Sequence, residues 1–457
     1  MSAVESNDAW LGKMPSDWQR SRLRNVAALS PGYSATVPAS DEACTVAPME
    51  LLSDDGAIDV TNQQPLDEVT SGLTLFEAGD VLFAKITPCM ENGKGAFVRK
   101  LPTRYAFGST EFHVLRPSKK IDGTFLYYVT FNPIYRAYAA ENMVGAAGQK
   151  RVSSRFVKDT RLFLPPLPEQ QRIAAYLDAS CAAIDAAVAA KRRQHETLDA
   201  LRKSIIQRAV TRGTSARVAL ESTGNAWMEE IPRGWKLVCL KRIAAIQGGL
   251  TLGKQYEGSL IERPYLRVGN VQDGHLDLAD VSVIELPASV AAGVELRPDD
   301  VLMTEGGDLD KLGRGHLWRG EITGCLHQNH IFAVRCFLHK LKPMFLAYVT
   351  AAQYGRDYFE ATGKKTTNLA CTNATKVGEF PIPLPSLTEQ EAICVYLDEK
   401  LGELKRIVSG IESQIATLTA YRKSLIHECV TGQRQVTDDD VRRAGHSERS
   451  QPTERRA

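Results

Sequence analysis

The run LPPLPEQQRIAAYLD, residues 164–178, opens a segment that ends in LRKSIIQRAVT at residue 211, and the chain then repeats it. The second copy starts as LPSLTEQEAICVYLD at residue 384 and ends in YRKSLIHECVT at residue 431. Glu169 aligns with Glu389, Gln170 with Gln390, Tyr176 with Tyr396 and Asp178 with Asp398, at one constant offset and without a gap. Each copy predicts one long helix. The prolines of the approach cannot continue a helix, and Glu169 and Glu389 put negative charge in the first turn, where the macrodipole favours it.

Apolar residues then step by four and three. In the second copy the seam is Leu397, Leu401, Leu404, Val408, Ile411, Ile415, Leu418, Arg422, Leu425 and Cys429, the 3.5-residue period of a coiled coil. The first copy keeps the register with Leu177, Cys181, Ile184, Val188, Lys191, His195, Leu198, Arg202, Ile205 and Ala209. Its polar positions make it the weaker seam. About 40 helical residues span roughly 60 Å, more than a compact domain of this size needs, so the repeated helix reads as a spacer between two modules.

The modules are themselves a repeat. Trp10, Pro15, Trp18 and Leu23 open the first half as Trp227, Pro232, Trp235 and Leu240 open the second. GDVLFAK (79–85) parallels DDVLMTE (299–305), and FLYYV (125–129) parallels FLAYV (345–349). Short alternating runs such as VLFAKI and EFHVLRP predict strands, and residues 125–140 predict a helix. The fold class is therefore α+β: two similar mixed modules, residues 1–164 and 214–383, separated and followed by long helices at 165–213 and 384–432 that pair as a coiled coil, with pseudo-two-fold repetition. Residues 217–225 read as a short polar joint, and 433–457 as a charged tail with almost nothing to bury, hence disordered.

Composition bounds the function. With 43% apolar and 24% charged residues, 457 residues suffice for real cores. The chain shows neither an apolar run of membrane length nor a secretory layout at its start, so a cytoplasmic location without a membrane is expected. Nine scattered cysteines without a CxxC pair suggest neither a disulfide framework nor a zinc site, and His327 with His330 lacks further ligands; no metal is expected. A net charge of +2 does not mark a nucleic-acid binder, so any such role rests on local cations.

Three motifs imitate catalysis. Residues 248–255 approach a phosphate-binding loop, but Gln255 stands where Ser or Thr would hold magnesium. Asn132-Pro133-Ile134-Tyr135 resembles a methyltransferase tetrapeptide with its second proline missing; a helix-terminating proline is the simpler reading. Asp308 and Asp310 beside Glu305 and Lys311 fit no nuclease spacing. No nucleophile and base stand at a usable spacing, which argues against a self-contained enzyme.

Cations and amides on glycine-punctuated loops remain. In the first module they include Lys94 and the loop GAAGQKRVSS (145–154) with Gln149, Lys150 and Arg151; in the second, Arg314 and the loop GKKTTNLACTN (363–373) with Lys364, Lys365 and Asn368. Such side chains neutralise phosphates, pair with guanine or bind adenine edges. These eight are the candidate DNA contacts.

Two copies of a proline-led LPxLxEQ…YLD helix, each preceded by a variable module with a Trp-Pro-Trp opener, resemble the specificity subunit of a type I restriction-modification system. The resemblance implies that each module is a target recognition domain reading one half of a split double-stranded DNA site. It implies that the helices pack as an antiparallel coiled coil, set the gap and dock two methyltransferase subunits, with endonuclease-translocase subunits joining. Glu169, Gln170, Tyr176, Glu389, Gln390 and Tyr396 are then the docking candidates. S-adenosylmethionine, ATP and magnesium would belong to the partner subunits, and this chain would hold no cofactor. The alternative is a coiled-coil scaffold that binds proteins without DNA specificity.

Overall fold

Val81–Ala84 is uniformly apolar, and every one of its residues is buried. Alternation explains how. Leu82 faces a core with Ala47, Phe76, Ala106, Phe112 and Val114, whereas Val81 and Phe83 face a second core with Phe125, Leu126 and Tyr135. A strand covered on both faces has no polar side to show. In the computed structural model, which describes residues 10–34, 39–146, 148–215, 217–272, 274–307, 312–365 and 370–449, this strand lies inside a four-stranded sheet. The sheet order is Ala27–Leu29, Phe112–Pro117, Val81–Ala84, Gly95–Phe97. A second four-stranded sheet, ordered Gln63–Pro65, Ala43–Ala47, Ala106–Gly108, Thr74–Phe76, contributes the other side of the inner core and contains one parallel pairing, Thr45 with Ala106.

The second module repeats the plan. Asp300–Thr304 is buried throughout, with Leu302 against Leu266, Trp318, Ile331 and Ala333, and Val301 and Met303 against the helical side. Its sheets run Ala244–Gly248, Ile331–Cys336, Asp300–Thr304, Gly315–Leu317 and, with one strand fewer than in the first module, Ser282–Leu286, Ile261–Leu266, Leu326–His327. In both modules the opener forms a strand paired with the strand that feeds the long helix: Gln19 opposite Leu164, and Lys236 opposite Leu384.

The long helices are Leu167–Arg212, the central helix, and Leu387–Val430, the distal helix. Both end at a glycine with positive φ, Gly213 (73°) and Gly432 (75°), the left-handed residue that closes a helix C-terminus. Gly432 has no alternative, since a Cβ there would lie 2.3 Å from the Pro15 ring. All twenty predicted seam positions are buried or half-buried. The central helix is also long and apolar enough to cross a membrane by composition alone. Its apolar side is instead packed into a protein core through Ile173, Leu177, Cys181 and Ile184, and Asp178 and Asp185, which interrupt it, are both ion-paired.

The compact units do not follow chain order. Unit 1 comprises residues 1–192 and 413–457, and unit 2 comprises 193–412. Each therefore joins a module to the first half of its own following helix and the second half of the other. In unit 1, Ile173, Leu177 and Cys181 share a core with Leu425, Ile426 and Cys429, and Arg422 pairs with Asp185 at 2.9 Å. In unit 2, Ile206 and Val210 share a core with Ile393 and Leu397, and His195 lies 3.6 Å from Glu412. The pairing is antiparallel within each unit, as the α+β reading with a coiled coil requires.

Three local expectations are corrected. Residues 125–140 form two helices, Gly123–Phe131 and Pro133–Glu141; Asn132 ends the first and caps the second, accepting from the Ile134 N–H at 3.0 Å, so Pro133 starts a helix as well as stopping one. The polar joint contains the strand Leu220–Asn225, paired with Met228–Pro232. The tail expected to be disordered from residue 433 is ordered to residue 449: Val436 is 4% exposed in the unit 1 core, and Asp438–Arg449 is a helix. Val436 and Val441 supply the few apolar contacts needed, and Arg172 holds the segment through the Val436 carbonyl (2.9 Å) and Asp438 (3.6 Å).

Candidate nucleic-acid interface and helix starts

The paired residues at the helix starts have different jobs. Gln170 is fully buried: its amide donates to the carbonyls of Lys120 (3.1 Å) and Pro165 (2.8 Å), and its oxygen accepts from the Asp122 N–H (2.8 Å). Gln390 repeats this with Lys340, Pro385 and Lys342. Asp178 accepts from the Tyr128 hydroxyl at 2.9 Å, and Asp398 from Tyr348 at 2.5 Å. Burial, reinforced by these carboxylates, raises both phenols well above their ordinary range. The motif therefore welds each helix to its own module.

As docking candidates, Gln170 and Gln390 are thus out of reach of a partner. Tyr176 is only 7% exposed, with the Arg434 guanidinium 5.4 Å from its ring, whereas Tyr396 is half-buried. Glu169 is half-buried beside Trp18 and Arg172, in a cleft also lined by Arg434 and Asp438; Glu389 accepts from the Trp235 indole at 3.1 Å. Gln170→Leu should cost unit 1 about 2–4 kcal/mol, because three backbone groups, the Pro165 carbonyl in a buried bond, lose their partner. Glu169→Ala should stay within about 0.5 kcal/mol, the range of ordinary surface changes. Urea denaturation of both variants checks the contrast.

The DNA-contact candidates separate as well. Gln149 and Lys150 are exposed on a loop whose base is tied to the sheet by Thr87, which donates to the Lys150 carbonyl at 3.0 Å. Gly145 lets this loop close, as a Cβ there would sit 2.6 Å from the Gln149 carbonyl oxygen. Arg151 is held by Glu111, Nε to Oε2 at 3.0 Å and Nη2 to Oε1 at 2.8 Å, and these bonds keep the Glu111 carboxyl below its usual range. Lys94 points inward to the Met49 carbonyl at 3.0 Å and is half-buried, so it is a structural contact. In unit 2, Lys364 is exposed on a short strand paired with Cys371, and Arg314 is half-buried. Asn368, Asp308, Asp310 and Lys311 lie outside the described residues, as does the side chain of Lys365.

Both loops spring from the same backbone junction. In unit 1 the Lys85 N–H donates to the Glu111 carbonyl (2.9 Å) and the Val152 N–H to the Lys85 carbonyl (2.9 Å). In unit 2 Glu305 bonds His330 (2.8 Å) and Thr372 bonds Glu305 (2.8 Å) in the same pattern. Glu111 was not among the sequence candidates, because nothing in its strand connects it to a loop 40 residues on. Beneath the unit 1 junction, His113 is 2% exposed and bonds the Val152 carbonyl at 2.9 Å; burial lowers its pKa to about 4. The unfolded chain, with His near 6.5, takes up this proton first as pH falls. Stability present above pH 6.5 is therefore lost towards pH 4, by about 3 kcal/mol. Denaturation midpoints of wild type and His113→Gln across that window should converge as pH drops.

Two of the three catalytic look-alikes occupy structural places, while Asp308, Asp310 and Lys311 of the third lie outside the described residues. Gly249 packs against the His327 and Gln328 carbonyls, and the loop around Gly253 leads into the strand Ile261–Leu266. Asn132 is fully buried, its amide 3.2 Å from the His427 ring. His327 is buried on the Ile331 carbonyl while His330 pairs with Glu305, so the two do not converge.

Residues 15–191 match the family model of the type I restriction modification DNA specificity domain. The EcoAI specificity subunit of Escherichia coli is 35% identical over 164 residues, a match that spans 35% of this chain and only 27% of the relative's length. The MjaVIII specificity subunit of Methanocaldococcus jannaschii is 22% identical over 93% of this chain and 94% of its own. A chain solved in work on complex assembly and conformational transition of the type I R-M system superposes with a TM-score of 0.72 at 19% identity, covering 92% of this chain and 98% of that one, and so shares the fold. Together with the duplicated helices and modules, these matches show a type I restriction modification DNA specificity domain over residues 15–191 and make the chain as a whole similar to type I restriction enzyme specificity subunits.

Proposed function

We propose that this chain is the DNA-addressing subunit of a type I restriction-modification complex, each module reading one half of a split sequence. The observation that carries this reading is one scaffold used twice with different side chains at the same place: Lys85, Glu111 and Arg151 in unit 1, and Glu305, His330 and Cys371 in unit 2. Unequal modules suit an asymmetric site, which a symmetric dimer of one module could not read. The paired helices, exposed along Val395, Ile407, Leu201 and Tyr421, would set the gap and carry two methyltransferase subunits, with endonuclease-translocase subunits completing the assembly. Methylating an adenine requires it to leave the stack, a task for the subunit that owns the cofactor pocket. The chain itself is assigned no catalysis and no cofactor; S-adenosylmethionine, ATP and magnesium belong to its partners, and the complex works in the cytoplasm. Mapping modified adenines in the host before and after deletion of this gene tests the reading. Loss of one split motif is expected; an unchanged map in a host whose methyltransferase is active would overturn it.

A further inference from the structure

We infer that the three-position junction is the base-reading site of each module, with Arg151 the reading side chain of unit 1 and Glu111 the residue that positions it. This rests on the proposed DNA-addressing function. The junction sits at the open end of the two central sheet strands, where Lys85 follows Val81–Ala84 and Glu111 precedes Phe112–Pro117, and Arg151 joins it through a bridge to Ile86. The Arg151 and Glu111 side chains are 41% and 22% exposed, so a ligand can reach them.

The geometry sets what Arg151 can do. Glu111 engages Nε and one proton of Nη2, which leaves the outer edge formed by Nη1 and the second Nη2 proton without a bond to the carboxylate. Nη1 makes one long contact, 3.4 Å to the Gln149 carbonyl, and keeps a second proton. That outer edge is a planar pair of donors matched to the O6 and N7 acceptors of guanine. Being held by a carboxylate, the fork is fixed before DNA arrives, so less rotamer freedom is lost on binding. Lys85, half-buried beside Glu111, keeps the cluster net positive against phosphate.

Unit 2 carries the same backbone with inverted chemistry. Glu305 stands at the place of Lys85, His330 at that of Glu111 and Cys371 at that of Arg151. Glu305 and His330 pair at 3.1 Å with side chains 23% and 52% exposed, and Cys371 is exposed. No guanidinium fork is present at these three positions. A carboxylate acceptor there suits the exocyclic amino group of cytosine or adenine, so the two junctions should read different bases.

The test is the modified-adenine map of host DNA made by the full chain expressed with its methyltransferase subunit. Arg151→Ala should relax one base-pair position in one half-site, with discrimination there falling roughly 5- to 150-fold, the value of one bidentate base contact. Glu111→Gln should relax the same position to a lesser degree. Glu305→Gln should alter a position in the other half-site only, and Lys150→Ala should lower methylation of all sites without changing the motif. A wild-type motif from Arg151→Ala, or relaxation in both halves, would overturn the inference. Should Arg151→Ala abolish methylation, Arg151→Lys decides: a normal motif at normal level means that only the charge mattered and sinks the base-reading role, while a relaxed motif supports it. A wild-type chain that yields no split motif refutes the proposed function itself.

Discussion

Asp80→Ala is expected to destabilise unit 1 by about 3–5 kcal/mol, the cost of stranding one partner of a buried ion pair. The Asp80 side chain is 1% exposed and meets Arg116 through two bonds, Nε to Oδ1 at 2.8 Å and Nη2 to Oδ2 at 2.7 Å; it also accepts the Glu77 N–H at 2.8 Å. Removing the carboxylate leaves a largely buried guanidinium and an orphaned backbone N–H. Replacing both partners, as Asp80→Leu with Arg116→Met, should recover only part of the loss, since the guanidinium is no longer stranded but Glu77, 3.4 Å from Arg116, loses its cation and keeps only the Ser34 N–H. Asp300 and Arg335 repeat the pair in unit 2 at 2.8 and 2.7 Å, with Asp300 accepting the Arg297 N–H at 2.9 Å. Asp300→Ala should therefore weaken unit 2 by a similar amount. Denaturant titration followed by hydrogen exchange, which assigns the loss to one unit or the other, checks this. A loss below about 1 kcal/mol would mean that water replaces the missing carboxylate.

DNA binding by the complex should fall about 10³- to 10⁵-fold between 50 and 200 mM salt, if it neutralises roughly six to ten phosphates. The net charge of +2 cannot supply that attraction at long range, so the local cations must. The structure says which are free to act. Lys150 and Lys364 are exposed, whereas Lys94 is turned inward, Arg99 is paired with Asp178 at 2.6 Å, and Arg116 and Arg335 are spent on the buried pairs. Lys150→Ala should reduce the slope of log affinity against log salt by about one, uniformly across sequences. A protein-binding scaffold would show little salt dependence, and fluorescence anisotropy with labelled duplexes separates the two outcomes.

The sequence by itself determined the duplicated order of opener, module and helix, the helix starts with Glu169 and Glu389 in their first turns, and the register of the seam. These are local signals: a proline that stops hydrogen bonding, an acid at a dipole, an apolar residue every three or four. It also pointed to the two glycine-punctuated loops, since turn residues and exposed cations are visible one at a time. What it could not do was decide which polar residues face inward. Gln170 and Glu169 are neighbours of similar size and polarity, yet one is fully buried on three backbone groups and the other half-exposed in a cleft. Lys94 and Lys150 are both loop lysines, and only the fold sends the first to the Met49 carbonyl.

Tertiary structure alone decided the rest. It ordered the segment after Gly432 by giving Val436 a core to enter, and composed each compact unit from two distant stretches of chain. It also brought Lys85, Glu111 and Arg151 to one point, and did the same with Glu305, His330 and Cys371. The physical reason is the same in each case: burial and hydrogen-bond satisfaction depend on partners far away in sequence, and those partners exist only once the sheets have closed around them.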